Sequence, residues 1–138
     1  MKTIIFDSYL TNIGKYAFES CANLGSFEVK EDNSSMVMSI EECAFSGCKS
    51  LDIDTTGDNL FSSAIYIGDE AFEGCISLTS VYVSESLYHV DDGAFNGCSS
   101  LTCFVAPIEN QRYLVDDGCL FEFDGSVSDG VILHTYPG

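Results

Sequence analysis

The segment Ile67–Val83, IGDEAFEGCISLTSVYV, recurs along the chain, and this recurrence limits the fold more than any other feature. Related segments read IGKYAFESCANLGSFEV from Ile13, IEECAFSGCKSLDI from Ile40 and VDDGAFNGCSSLTCFVA from Val90, with a decayed copy, VDDGCLFEFDG, from Val115. Three columns keep one step. Phe18, Phe45, Phe72 and Phe95 are spaced 27, 27 and 23 residues apart, as are Cys21, Cys48, Cys75 and Cys98, and Leu24, Leu51, Leu78 and Leu101. Periods of this size belong to solenoids, propellers and arrays, in which each unit buries its apolar face only against its neighbours.

Each full unit reads L-x-x-V-x-V, a loop, V-x-x-I-G and then A-F-x-G-C. Met1–Phe6, MKTIIF, fits the first part with Met1 in the leucine position. Coils therefore start near residues 1, 24, 51, 78 and 101, followed by a degenerate segment over 107–138, in a single domain of 1–138. The pairs Leu10/Ile13, Val37/Ile40, Ala64/Ile67 and Leu87/Val90 repeat in step. Loop length sets the period: both middle coils carry four extra residues between the leucine column and the next apolar pair. In L-x-x-V-x-V the two-residue alternation of a strand turns Val81 and Val83 inward and Tyr82 outward. A-F-x-G-C is too short for a full helix and suits one turn of helix or 3-10 closed by glycine. Each buried aromatic or aliphatic side chain contributes roughly 1.5–3 kcal/mol, so stacking supplies most of the stability and one coil would not fold alone.

With L-x-x-V-x-V, I-G-x-x-A-F and G-C-x-x-L at 23-residue spacing, the chain resembles the BspA-like (Treponema pallidum type) leucine-rich repeat family over Met1–Ala106. LDID, one residue short, leaves the register of the third strand open. The resemblance implies an α/β chain wound as a right-handed leucine-rich-repeat solenoid of about five coils. A parallel sheet of short strands would line its concave face, with helical or 3-10 turns on the convex side. Family members are described as cell-surface or secreted proteins of bacteria and mucosal protists that adhere to host proteins. The implied function is a non-catalytic protein-binding or adhesion module, surface-associated, with a host or matrix protein as partner.

A second reading is an intracellular structural or scaffold repeat protein. It draws on the absence of a signal-peptide core, since Met1-Lys2 leads straight into TIIF, and on cysteines that look reduced. Localisation is thus open between the two. The net charge of -17, from 22 acids against 5 bases, argues against nucleic acid and anionic lipid as partners. No apolar run reaches the roughly 18 residues of a membrane span, so membrane insertion is not expected.

Seven cysteines raise the question of disulfides or metal. Four occupy one column as small buried thiols, and no C-x-x-C pair occurs to suggest zinc. Cys43 is the first candidate for an exposed thiol and Cys103 the second. An acidic column, Glu42, Asp69, Asp92 and Asp117, headed by Lys15, must be solvated or neutralised, because stacked charges about 4.8 Å apart repel. Asp52, Asp54 and Asp58 resemble the first half of a calcium loop, but Ser63 stands where the bidentate glutamate belongs, so they are weak candidates and no metal or other cofactor is expected. No nucleophile with a base, phosphate loop or carboxylate pair is assembled. His89 and His134 lie in unrelated contexts, and GSVSDG is not a nucleophile elbow, so no catalytic residue is assigned.

A binding surface falls on the concave sheet, where the outward residues Ile5, Glu28, Asp54, Tyr82 and Val105 line up. Tyr82 is the aromatic anchor of that row, and the acids suit a basic partner. The loops after Val29 and Ile53 are a further candidate. The Met1–Phe6 strand lies at an open parallel edge, so the chain is expected either to belong to a longer repeat array or to self-associate through that strand.

Overall fold

The computed structural model describes residues 2–7, 9–29, 37–53, 63–106, 110–123 and 131–135. Its strands are β1 (Lys2–Phe6), β2 (Asn12–Ile13), β3 (Leu24–Val29), β4 (Ser39–Ile40), β5 (Tyr66–Ile67), β6 (Ser80–Tyr82), β7 (His89–Val90), β8 (Cys103–Val105), β9 (Tyr113–Asp116), β10 (Cys119–Phe123) and β11 (Val131–Thr135). The chain winds as a parallel β-solenoid of about four turns, one fewer than expected. Each V-x-x-I unit contributes a two-residue strand to one parallel ladder, β2-β4-β5-β7, with Ile13, Ile40, Ile67 and Val90 in register and buried.

The L-x-x-V-x-V segments form the second wall, in two pieces. β1 pairs with β3 and β6 pairs with β8, both parallel. Between them the described residues of LDID, Leu51, Asp52 and Ile53, form no strand. The Asp52 amide still reaches Gly25 O at 3.1 Å, but the Thr79 amide bonds Asp52 Oδ1 at 3.2 Å, with Thr79 Oγ1 on the same oxygen at 3.0 Å. One coil later the ladder is ordinary again, with the Thr102 amide on Thr79 O at 3.0 Å. A carboxylate thus bridges the rung left by the missing residue.

The third wall is the A-F-x-G-C segment, and it is not helical: no α- or 3-10 helix occurs among the described residues. Alternate amides take different partners. Ala17, Glu19 and Cys21 close turns onto carbonyls three residues back, whereas Tyr16, Phe18 and Ser20 donate to Glu42, Ala44 and Ser46 of the next coil. Cys43, Phe45 and Gly47 repeat this onto Asp69, Ala71 and Glu73. A helix would commit every amide within its own coil; stacking claims every second one. The alternation also puts Tyr16, Ser20, Cys43, Glu70, Gly47, Gly74 and Gly97 at positive φ, which explains the glycine at the end of the motif.

Inside, Phe18, Phe45, Phe72 and Phe95 stack in one file with centroids 5.3, 5.2 and 5.5 Å apart. Phe6 and Phe27 pack beside one end of the file and Phe104 edge-on to the other.

The decayed copy at Val115 departs from the winding. β9, β10 and β11 form an antiparallel sheet, with Asp116 opposite Cys119 across the two-residue turn Asp117-Gly118. Both turn residues have positive φ, 48° and 74°, as a twist-matched hairpin requires, and Asp-Gly supplies that chemistry. This segment seals the last coil from one side. Buried Tyr113 accepts the Val90 amide on its hydroxyl at 2.9 Å, and buried Asn110 donates to Ser84 O at 2.7 Å while accepting the Tyr113 amide at 2.7 Å.

Candidate binding surface

The outward row expected on the strand wall is brought together in two pairs. Ile5 stands opposite Glu28, and Tyr82 opposite Val105. Ile5 is 63% exposed and Val105 46%, Glu28 is exposed and Tyr82 half-buried. Asp54, the fifth member, lies outside the described residues, as do Asp58 and the inserted loops at 30–36 and 54–62. Asp52 spends its carboxylate on Thr79, so its described contacts are those of a structural bridge. Among the described residues no three or more His, Cys, Asp or Glu side chains gather as a metal site would require.

The acidic column is partly neutralised from within. Glu42 receives Lys15 Nζ at 2.8 Å and Tyr16 OH at 3.0 Å, and these bonds, Lys15 first, hold its carboxyl below the usual range. Asp69 and Asp92 face solvent, whereas Asp117 sits in the hairpin turn and not in the stack.

Cys43 is not the exposed thiol. It is buried, its sulfur 3.5 Å from Glu70 Oε2, and burial pushes its pKa up to about 11. Longer neighbours in its own column, Tyr16 and Glu70, leave a short side chain covered. Cys21 is the exposed member of the set, and Cys103 is intermediate. The other three column members, Cys48, Cys75 and Cys98, are buried, and all described cysteines are free thiols.

A surface that the sequence reading passed over lies on the β2-β4-β5-β7 wall. Between the inward ends of V-x-x-I, the second position places Met38, Ile65 and Tyr88 side by side, 45%, 40% and 63% exposed. Their backbones are in register: the Met38 amide bonds Thr11 O, the Ile65 amide Met38 O and the Tyr88 amide Ile65 O, at 2.8–2.9 Å. Beside this stripe Tyr66 stacks on His89 with centroids 5.7 Å apart. Tyr66 OH donates to Asp91 Oδ2 at 2.7 Å and His89 Nε2 bonds Asp91 Oδ1 at 2.9 Å. Burial pushes the Asp91 carboxyl up, but the bonds from Tyr66 and His89 outweigh it and hold it below the usual range, while the same bond raises Tyr66 to about 12. Ser39 likewise holds Glu41. The signal was present in the x-x of V-x-x-I, where a large apolar residue recurs at a position that the winding turns outward.

The repeat itself decides the family. Residues 1–113 match the model of the BspA type leucine rich repeat region, in 6 copies. The chain belongs to the BspA-type leucine-rich repeat family. Two solved structures are similar to this BspA-type chain. One is a leucine rich cell surface protein from Faecalibacterium prausnitzii A2-165, 17% identical, covering 99% of this chain and 46% of that one, with a TM-score of 0.46. The other is the T. pallidum leucine rich repeat protein, 20% identical, covering 74% and 57%, with a TM-score of 0.46. The chain thus spans about half the length of these structures. No curated protein matches. No helix among the described residues is long and apolar enough to cross a membrane.

Proposed function

We propose that this BspA-type chain is a non-catalytic protein-binding or adhesion module, surface-associated, with a host or matrix protein as its partner. The observation that carries the reading is that the outward residues stand in register two by two, Ile5 with Glu28 and Tyr82 with Val105, on a stacked scaffold. A rigid wall of this kind presents side chains at fixed spacing with little ordering cost on binding, and its acids favour a basic patch on the partner. Purified matrix proteins titrated against the immobilised domain test this. Binding that falls about tenfold or more in a Tyr82→Ala, Glu28→Ala double variant, with the fold intact, supports it. Binding that is equal in both proteins rejects the row.

The scaffold alternative rests on the free thiols, which suit a reducing compartment. Labelling intact cells with an impermeant reagent separates the two: protection before lysis and labelling after it favours the interior. Self-association through β1 is a further reading, supported by an outer edge that pairs with no described strand. Sedimentation velocity over a hundredfold concentration range tests it, and a species that stays monomeric throughout rejects it.

A further inference from the structure

We propose that the Met38-Ile65-Tyr88 stripe is a docking site for a basic amphipathic helix of another protein. The proposal deepens the binding-module reading but concerns a different wall, so it stands or falls apart from the Tyr82 row.

Three observations select the occupant. The first is spacing. The stripe runs across the coils, along the stacking axis, at one side chain per rung of about 4.8 Å. A helix lying along that axis presents i, i+3/i+4 and i+7 side chains at about 5.4 Å per turn, which keeps step with three rungs to within about 1 Å. An extended segment repeats its same-face side chains at roughly 6.6 Å and is out of step by the third rung.

The second is charge. Glu41 and Asp91 stand in one column on the same wall, three positions along from the stripe and separated from it by Ser39, Tyr66 and His89, and Asp69 and Asp92 lie one position further on. Asp91 is fixed by Tyr66 and His89 and Glu41 by Ser39, so the carboxylates are set in place before a ligand arrives. Ordered acids flanking an apolar strip match a helix with Lys or Arg beside its apolar face. They repel anionic lipid and nucleic acid, and a second copy of a chain at -17 is repelled as well. No helix occurs among the described residues for such a copy to offer.

The third is an anchor point. Tyr88, the most exposed member, borders a depression of about 350 Å³ lined with Glu85, Ser86, Asn110 and Gln111. The Arg112 guanidinium lies 4.8 Å over the Tyr88 ring and is paired with Glu122, which fixes the ring at the end of the stripe. A partly exposed, positioned tyrosine next to a recess is the kind of residue that dominates binding energy.

The probe is a fluorescent synthetic peptide of about 15 residues, with Leu at i, i+3/i+4 and i+7 positions and Lys elsewhere, followed by anisotropy. A peptide of the same composition with the leucines permuted off one face, and a Glu-for-Lys peptide, are compared with it. The patterned Lys peptide is expected to bind, the permuted one about tenfold or more weaker, and the Glu peptide not at all. Met38→Ser with Ile65→Ser and Tyr88→Ser is expected to lower the affinity about tenfold or more, and Ile65→Lys alone, which keeps most of the surface, by a similar factor. Glu41→Gln with Asp91→Asn should weaken binding and flatten its salt dependence. The Tyr82→Ala, Glu28→Ala variant should bind as wild type. Equal binding of the permuted peptide, or no change in both stripe variants, overturns the proposal. A loss confined to the Tyr82 variant moves the peptide to the other wall and overturns it too. Dimers of the free protein that vanish in the Ile65→Lys variant would make a second copy the occupant.

Discussion

The thiol of Cys75 donates to the carbonyl oxygen of Phe45, one coil away, at 3.2 Å, and the Cys48 amide reaches the same oxygen at 3.1 Å. Cys48 does the same to Phe18 O and Cys98 to Phe72 O, each at 3.1 Å. Each Phe carbonyl therefore has its second lone pair satisfied by a side chain from the following coil. This gives the cysteine column a reason: the site is small and apolar, and a weak donor is needed there.

These bonds require S–H, which makes stability sensitive to alkali. Burial pushes Cys48 and Cys98 up to about 11, and Cys75 higher still. A group whose folded pKa is raised contributes stability that is complete below its unfolded value, about 8.5 for a thiol, and is lost as pH rises through the folded value. Each thiol should thus cost about 1.4 kcal/mol per pH unit between those limits. The urea midpoint is expected to be level from pH 6 to 8 and to fall by pH 9.5, before the raised tyrosines Tyr66 and Tyr113 begin to contribute. Serine at Cys48, Cys75 and Cys98 should remove most of that fall. A wild-type midpoint that does not move by pH 9.5 would count against this account.

Within the aromatic file, position decides the cost of truncation. Phe72 is fully buried between Phe45 and Phe95, whereas Phe18 is half-buried at the end of the file. Phe72→Ala is expected to cost about 3–5 kcal/mol and Phe18→Ala clearly less, measured by urea denaturation. Equal losses would mean that the coils do not stack as a graded series.

The Phe and Cys columns were legible because a fixed period overrides local ambiguity: whatever one coil does at a position, its neighbours must match. The turn segments were misread for the opposite reason. Ala-Phe-x-Gly carries a local helix-ending signal, but stacking competes for the amides of Tyr16, Phe18 and Ser20 and wins. Cys43, expected to be exposed, is buried, because burial there depends on the length of Tyr16 and Glu70, which a column of letters does not weigh. Asp117-Gly118 was counted as a decayed repeat when the same two residues spell a hairpin turn. The outward row on the strand wall follows from two-residue alternation. The Met38-Ile65-Tyr88 stripe does not, since V-x-x-I turns both middle residues outward and only the structure shows how far each is exposed.

One glycine column separates room from contact. A Cβ at Gly14 would meet nothing within 4 Å, while one at Gly68 would lie 2.7 Å from Glu42 N and 2.9 Å from Glu41 C, backbone atoms that cannot swing aside. Gly68→Ala should destabilise by roughly 1–3 kcal/mol, and Gly14→Ala should be neutral or slightly stabilising. Thermal unfolding of the two variants checks this, and matching effects would refute the close approach of the second and third coils.

Asp52 is the sharpest test of how the strand wall survives a missing residue. Its Oδ1 takes both the amide and the hydroxyl of Thr79, where coil four uses a main-chain carbonyl for the equivalent Thr102 amide. If the carboxylate is the bridge, Asp52→Ala strands the Thr79 amide, and hydrogen exchange there should accelerate while Thr102, bonded to Thr79 O, keeps most of its protection. The stability loss should be about 1 kcal/mol, because the site is open to water and solvent replaces part of the bond. Asp52→Asn, which retains an acceptor oxygen, should recover much of both effects. Unchanged exchange at Thr79 in the alanine variant would mean that the rung is held by the Asp52 main chain, and the break between β3 and β6 would then need another cause.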